Sequence, residues 1–270
     1  MPSEEERNVQ AVRRWCEDVF AGDLDLLDEV FSYPFVLHSA RGARSYDARE
    51  RREAVAAAMQ NTPVLRWEMN DVLARGDRVA WRLTATRLGE DGERERRSGW
   101  LEIHRMVDGK IAETWGLARA VEVGPWEGVS YAPEQWAIAS ESSLTSEEQA
   151  NLKTLNHWAD LNQNRRDDFE ALDELLMSGY RVHDERGLRE PTVEARRTFL
   201  VSLKANDPTF TGGYDDLVIA GDRACAQFHY DLPQTPPGTG TRQSGLIWFR
   251  FADHRIAEMW QINLPDDADW

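Results

Sequence analysis

The strongest constraint on this chain is that it is written twice. Leu27-Asp28-Glu29 returns as Leu172-Asp173-Glu174, Gly76-Asp77-Arg78 as Gly221-Asp222-Arg223, and Ile111-Ala112-Glu113-Thr114-Trp115 as Ile256-Ala257-Glu258-Met259-Trp260. Each pair is 145 residues apart, as are His38, followed by Arg41-Gly42, and His183, followed by Arg186-Gly187. Ser98-Gly99 and Ser244-Gly245 are 146 apart, which reads as one residue inserted before that strand and one removed after it. Matches in one order at one offset identify a tandem duplication, so the folding unit is half of the 270 residues. The expected domains are 1–120 and 145–270, joined by a linker at 121–144. That linker holds Gly124-Pro125-Trp126, Pro133 and a Ser/Glu run from Ser140, and its Trp126, Tyr131 and Trp136 predict packing along a surface.

Each half has one layout. Val9, Val12, Trp15/Cys16 and Val19 fall on one helical stripe, and Leu152, Leu155, Trp158 and Leu161 repeat it. Ser3-x-x-Glu6 and Thr145-x-x-Glu148 predict capping boxes for these helices. A short second helix (24–31 and 169–177) leads into an extended segment ending at His38 or His183, and an arginine-rich third helix follows (47–60 and 193–204). Four strands close each half, at 65–74, 78–88, 96–107 and 111–117, and at 210–220, 223–232, 242–252 and 256–264. Helices first and hairpin-linked strands after predict an α+β class with an antiparallel sheet wrapped on helices.

Composition removes several functions. The net charge of −16 repels phosphate backbones and anionic lipid, so neither nucleic acid nor a membrane is the expected partner. No long apolar run and no basic-then-apolar amino terminus is present, and Cys16 and Cys225 are too few for a disulfide framework or a zinc site, so a cytoplasmic protein is expected. No Gly-x-Gly-x-x-Gly, phosphate loop or close metal-ligand spacing occurs, and no cofactor or metal is expected. Eleven tryptophans predict apolar pockets or cores.

Phe35-Val36-Leu37-His38 and its copy Tyr180-Arg181-Val182-His183-Asp184, the turn Gly76-Asp77-Arg78-Val79, and the strand Asp108-Gly109-Lys110-Ile111-Ala112-Glu113-Thr114-Trp115 resemble the nuclear transport factor 2-like superfamily. Within it both halves are similar to SnoaL-like polyketide cyclases. The resemblance implies two tandem cone-shaped α+β barrels, each with three helices on a strongly bent sheet that encloses one pocket. It also implies that the two pack through their convex faces, as a monomeric pseudo-dimer or a homodimer of it. SnoaL-like cyclases are expected to carry an aspartate beyond the closing tryptophan; here Gly116, Leu117, Ala118 and Arg119 follow Trp115, and Gln261, Ile262 and Asn263 follow Trp260.

His38 and His183 stand where the resemblance places a carboxylate base, and imidazole titrates where a base at neutral pH must. The other reading of each is a histidine bonded to its neighbouring turn. Glu113 and Glu258 share a strand face with Trp115 and Trp260, two residues on. Inside an apolar cone such acids could protonate an oxygen, whereas on the other face they are solvated or contact acids. Arg82 could hold an enolate oxygen or pair with Glu68. Gln227, His229 and Asp231 match Arg82, Thr84 and Thr86, and with His183 they predict a more acid-base-competent second pocket. Trp67, Trp81, Trp115 and Trp260 are expected to line the pockets. The leading expectation is a cofactor-free enzyme for cyclisation, isomerisation or dehydration of a small, largely apolar carbonyl compound. A non-catalytic binder of a hydrophobic metabolite and an epoxide hydrolase or cyclase are the alternatives.

Overall fold

The computed structural model describes residues 2–61, 64, 66–88, 95–120, 128–139, 143–164, 169–184, 187–206, 211–231 and 242–265. Two units of the same design follow one another, residues 1–142 and 143–269. No described helix is long and apolar enough to cross a membrane.

In the first unit α1 (Glu4–Arg14) begins at the expected capping box: Glu6 N donates to Ser3 Oγ at 3.1 Å, and Ser3 N donates to Glu6 Oε2 at 2.7 Å. Its last turn widens into a π-helical turn, Trp15–Val19, which keeps Trp15, Cys16 and Val19 all buried. After α2 (Leu27–Val30), β1 (Phe31–Ser39), the extended segment expected to end at His38, turns back as β2 (Gly42–Tyr46), a strand the sequence does not predict. Then come α3 (Ala48–Asn61), β3 (Arg66–Arg75), β4 (Arg78–Leu88), β5 (Glu95–Val107) and β6 (Lys110–Ala120). A two-residue strand, β7 (Ala137–Ile138), runs parallel to β3 and completes the order β2-β1-β6-β5-β4-β3-β7. The described part of the segment between the repeats therefore belongs to the first sheet, and Trp136 packs on its core; Gly124, Pro125 and Trp126 lie outside the described residues.

The second unit repeats this with α4 (Ser146–Ala159), α5 (Leu172–Leu175), β8 (Leu176–Asp184), β9 (Gly187–Arg189), α6 (Val193–Asn206), β10 (Thr211–Ala220), β11 (Arg223–Asp231), β12 (Arg242–Ala252) and β13 (Arg255–Asn263). Its sheet order is β10-β11-β12-β13-β8-β9. A second capping box, Thr145 with Glu148, opens α4. Leu175, Tyr180, Phe228, Phe249 and Ile256 pack with Leu155, Trp158 and Leu200 on the helix side. In the first unit Phe31, Phe35, Trp81, Leu83 and Ile111 pack with Val9, Val12, Trp15 and Val55.

Two bulges decide which side chains face the helices. Met106 pairs with Ile111 and Arg105 with Glu113, so Ala112 is an extra residue and the alternation flips there. Ile111 faces the helices, and Glu113 and Trp115 face away. Ala257 does the same between Ile256 and Glu258. Strand pairing also corrects the 146-residue match: Leu83 pairs with Trp100 and Phe228 with Gly245, so Gly245 is the counterpart of Trp100 and the 145 offset holds through this strand.

Candidate active site

In both units the candidate histidine and the candidate glutamate come together, a pairing the sequence does not predict, on the side of the sheet away from the helices. His38 Nε2 lies 2.8 Å from Glu113 Oε1, Arg105 Nε donates to Glu113 Oε2 at 2.9 Å, and the His38 ring stacks on Trp115 with centroids 4.9 Å apart. In the second unit His183 Nε2 is 2.9 Å from Glu258 Oε1, Arg181 and Arg250 donate to Glu258 Oε2 at 2.8 and 3.2 Å, and His183 stacks on Trp260 at 4.8 Å. Burial alone would raise both carboxyls. The hydrogen bonds from the histidines and the charges of the arginines overcome it and hold Glu113 and Glu258 below the usual carboxylate range. In each unit the pair spans adjacent parallel strands, β1 and β6 or β8 and β13.

The other predicted groups are dispersed. Glu68 pairs with Arg97 and Arg66, each at 3.2 Å, and not with Arg82. Arg82, wholly buried on the far side, donates to the carbonyl of Val129. His229 sits 3.0 Å from Asp215 and 3.8 Å from Asp231 on β11. The expected meeting of His229 and Asp231 with His183 does not occur, because β12 and β13 lie between β11 and β8 and three strand spacings amount to about 14 Å. Of the predicted pocket tryptophans, Trp67 and Trp81 face the helices, while Trp115 and Trp260 back the far-side pairs.

The helix side of the first unit holds three titratable groups that the sequence reading did not single out. Glu102 and His104 are two apart on β5, so they share a face, and Arg51 reaches in from α3. Trp81 Nε1 donates to Glu102 Oε2 at 2.9 Å, and His104 Nε2 approaches the same oxygen at 3.5 Å. His104 Nδ1 is 2.9 Å from Thr114 Oγ1, and its ring meets Trp81 edge-on at 5.0 Å. Gly116 pairs with Glu102 across the ladder, and a β-carbon there would stand 3.0 Å from Glu102 Oε1, so glycine is what leaves the carboxyl room. The Arg51 guanidinium lies over four rings, at 5.0 Å from Trp15, 4.8 Å from Phe31, 4.6 Å from Phe35 and 5.7 Å from Tyr46.

Burial sets the protonation of this group. It pushes the Glu102 carboxyl up to about 7, against the lowering effect of the Trp81 hydrogen bond and the Arg51 charge. Burial, with Arg51 nearby, drives the His104 imidazole down to about 3, so it is neutral at ordinary pH. Burial also lowers Arg51 to about 10, which leaves it a cation. Among the described residues His104 Nε2 and Arg51 Nε have no hydrogen-bond partner. The Glu102 side chain keeps 11% of its surface open, against 1% for His104. A cleft of about 580 Å³ in the first unit is lined by Cys16, Phe20, Arg66, Trp67, Met69 and Trp136 among others. Cys16 on its wall is near enough to feel the charge of Glu102.

In the second unit the same positions are apolar: Ile247 stands for Glu102, Phe249 for His104, Ala226 for Trp81 and Met259 for Thr114, while Arg196 retains the place of Arg51. The signal in the sequence was this contrast between copies. Aligning the strand at 146 hides it, because a slip of one residue exchanges the two faces. Among the described residues no cluster of three or more metal-capable side chains occurs.

Residues 12–114 and 156–259 each match the SnoaL-like domain family. No curated protein matches the chain. Among solved structures, one from Jannaschia sp. CCS1, provisionally named a SnoaL-like polyketide cyclase, is 18% identical, with 46% of this chain and 91% of that one covered and a TM-score of 0.39. TsrD from Streptomyces laurentii is 20% identical over 45% of this chain and 91% of its own, with a TM-score of 0.37. A SnoaL-like polyketide cyclase from Agrobacterium tumefaciens is 17% identical over 44% and 92%, with a TM-score of 0.36.

Proposed function

Because the chain belongs to the SnoaL-like domain family, in two copies, we propose that its first domain is a cofactor-free acid–base catalyst acting next to the carbonyl of a small, largely apolar compound. The observation that carries this reading is the buried Glu102 carboxyl, bonded by Trp81 Nε1 at 2.9 Å and pushed by burial up to about 7, on the same helix side as Arg51, a buried cation with no ion pair among the described residues. A carboxylate titrating near the working pH is an effective general base, and its conjugate acid an effective proton donor. Glu102 takes a proton from the carbon beside the carbonyl. The negative charge that moves to the oxygen is stabilised by Arg51, whose ring-lined surroundings contain little water to screen it. Trp81 holds Glu102 in position through Nε1, and neutral His104, held by Thr114, lies beside the same carboxylate oxygen. Return of the proton to another carbon gives isomerisation, and attack of the enolate on a second carbonyl of the same molecule gives cyclisation. The histidine–glutamate pairs on the far side serve as structural ties.

Solvent-deuterium exchange into a panel of cyclic 1,3-diketones and β-keto esters, followed by NMR, tests the assignment. The wild-type protein is expected to accelerate exchange, with a loss of at least about 100-fold in Glu102→Gln and little change in His38→Ala with His183→Ala. Exchange that survives Glu102→Gln but not the double histidine variant would return catalysis to the far side. Saturable binding of these compounds without exchange would favour the non-catalytic reading.

A further inference from the structure

The segment that follows the first repeat is tied to β3 at two places. Tyr131 N donates to Asn70 O at 2.8 Å; further on, Ala137 and Ile138 pair with Leu73 and Ala74, and Ala139 N donates to Ala74 O at 2.9 Å. The segment takes six residue steps from Tyr131 to Ala137 where β3 takes three from Asn70 to Leu73, so it coils between the ties. Pro133–Gln135 forms a single 3-10 turn there, closed by Gln135 N donating to Ala132 O at 2.8 Å and Ala132 N donating to Gln135 Oε1 at 3.1 Å. Pro133 and Trp136, at the two ends of this turn, line the cleft of about 580 Å³. Facing residues come from the π-helical turn and the chain just after it, among them Phe20, and from the start of β3, with Trp67 and Met69. Phe20 and Trp67 stack with centroids 4.5 Å apart and 23° between their planes, and Trp67 meets Trp100 edge-on at 5.7 Å. The charged groups of the described wall are Glu17 and Arg66, and each is already opposed, Glu17 by Arg13 at 2.8 Å and Arg66 by Glu68 at 3.2 Å.

This wall is particular to the first domain. Pro133 and Trp136 lie beyond residues 12–114, the stretch of this half that matches the family. Trp67 pairs with Ala85, and at the same places in the second domain Gly212 pairs with Tyr230, so glycine stands there for the tryptophan. A concave site of several hundred Å³ with an apolar and aromatic lining is of the size that encloses a small organic molecule. We propose that the segment 131–139 completes such a site in the first domain, that the site takes an uncharged compound with a flat aromatic ring system, and that Trp136 sets this selectivity. Aromatic rings packed offset or edge-on gain beyond the area they bury, which a saturated ring forgoes. An ionised ligand would lose hydration without meeting an unopposed charge in the described wall. The proposal does not rest on the chemistry assigned to Glu102, because it is read from binding and not from turnover.

Calorimetric titration of the full chain with 2-acetylnaphthalene, its saturated counterpart 2-acetyldecalin and the anion 2-naphthoate tests it. The acetylnaphthalene is expected to bind at least about tenfold more tightly than either of the others, a difference of about 1.4 kcal/mol. Trp136→Ala should weaken it by at least about tenfold, while Trp136→Phe, which keeps a ring at that place, should hold it within about threefold. Phe20→Leu should weaken it by a factor between these. Equal or tighter binding of the saturated or the charged compound, affinity unchanged in Trp136→Ala, or no saturable binding of 2-acetylnaphthalene each overturns the proposal. Binding that persists in Glu102→Gln while exchange is lost supports both readings, and binding without exchange in the wild type removes the catalytic one alone. Circular dichroism separates lost binding from lost structure, and if Trp136→Ala does not fold, the wild-type comparison of the three compounds and the Phe20→Leu titration decide.

Discussion

On the far side of each sheet the two domains are nearly superimposable in chemistry: a histidine stacked on a tryptophan, bonded to a glutamate that arginine also holds, at distances that agree to about 0.1 Å (2.8 and 2.9 Å). On the helix side they have parted, with Glu102, His104, Trp81 and Thr114 in one and Ile247, Phe249, Ala226 and Met259 in the other. What both copies keep is what each fold needs to close β1 on β6, or β8 on β13. Where the first copy has these polar groups, the second packs a continuous apolar core. The comparison of copies thus sorts the polar groups of one chain into those present twice and those present once.

The largest expected effect comes from removing the carboxylate of the more buried far-side pair. Glu258 is 0% exposed and binds two arginines and a histidine, so Glu258→Ala should destabilise the second domain by about 3–5 kcal/mol. Glu113 is 19% exposed and binds one of each, and Glu113→Ala should cost about 1–2 kcal/mol. Denaturant unfolding of the two variants that gave equal losses would break the ranking by burial.

The interior acid should act with the opposite sign. A carboxyl raised to about 7 binds its proton more tightly in the folded than in the unfolded chain, so its contribution to stability falls as pH rises from about 4.5 to about 7. Glu102→Gln should therefore stabilise the first domain at pH 8 by about 3 kcal/mol and flatten this part of the pH profile. Glu113 and Glu258, held low, contribute stability above the ordinary carboxylate range that is lost as pH falls through their folded values. A Glu102→Gln variant no more stable than wild type at pH 8 would remove the case for a tuned acid.

The smallest effect concerns the turn before the closing strand. The first copy uses Asp108-Gly109 with positive φ of 51° and 74°, and the second uses Asp253-His254 at 49° and 60°. His254 is retained in this region by a bond from its Nδ1 to Asn151 Oδ1 at 3.2 Å and by Thr154 donating to its carbonyl at 2.7 Å. Gly109→Ala has no such support and should cost about 1 kcal/mol in melting experiments. A loss of the same size in His254→Gly would show that its side-chain bond outweighs the backbone strain.

Much of this was legible in the residues. The capping boxes, the helical stripe of Val9, Val12 and Trp15, the strands and the duplication all depend on local patterns or on counting, and the structure has them. That Glu113 shares a strand face with Trp115 was legible too, but that His38 bonds the one and stacks on the other was not, and neither was their side of the sheet. Period-two alternation carries Glu113 onto the face of Ile111, and only the bulge at Ala112, visible in the ladder, reverses it.

The sequence by itself determined that one α+β unit is used twice, where its main helices and strands run, and, outside the strand that begins near Ser98, which residues occupy equivalent places at the 145-residue offset. The tertiary structure alone decided which polar groups lie inside. Facing depends on bulges and register, where one residue exchanges the two sides of a strand, and the tuning of Glu102 depends on burial beside its strand neighbour His104 and beside Trp81 and Arg51, which come from two other places in the chain.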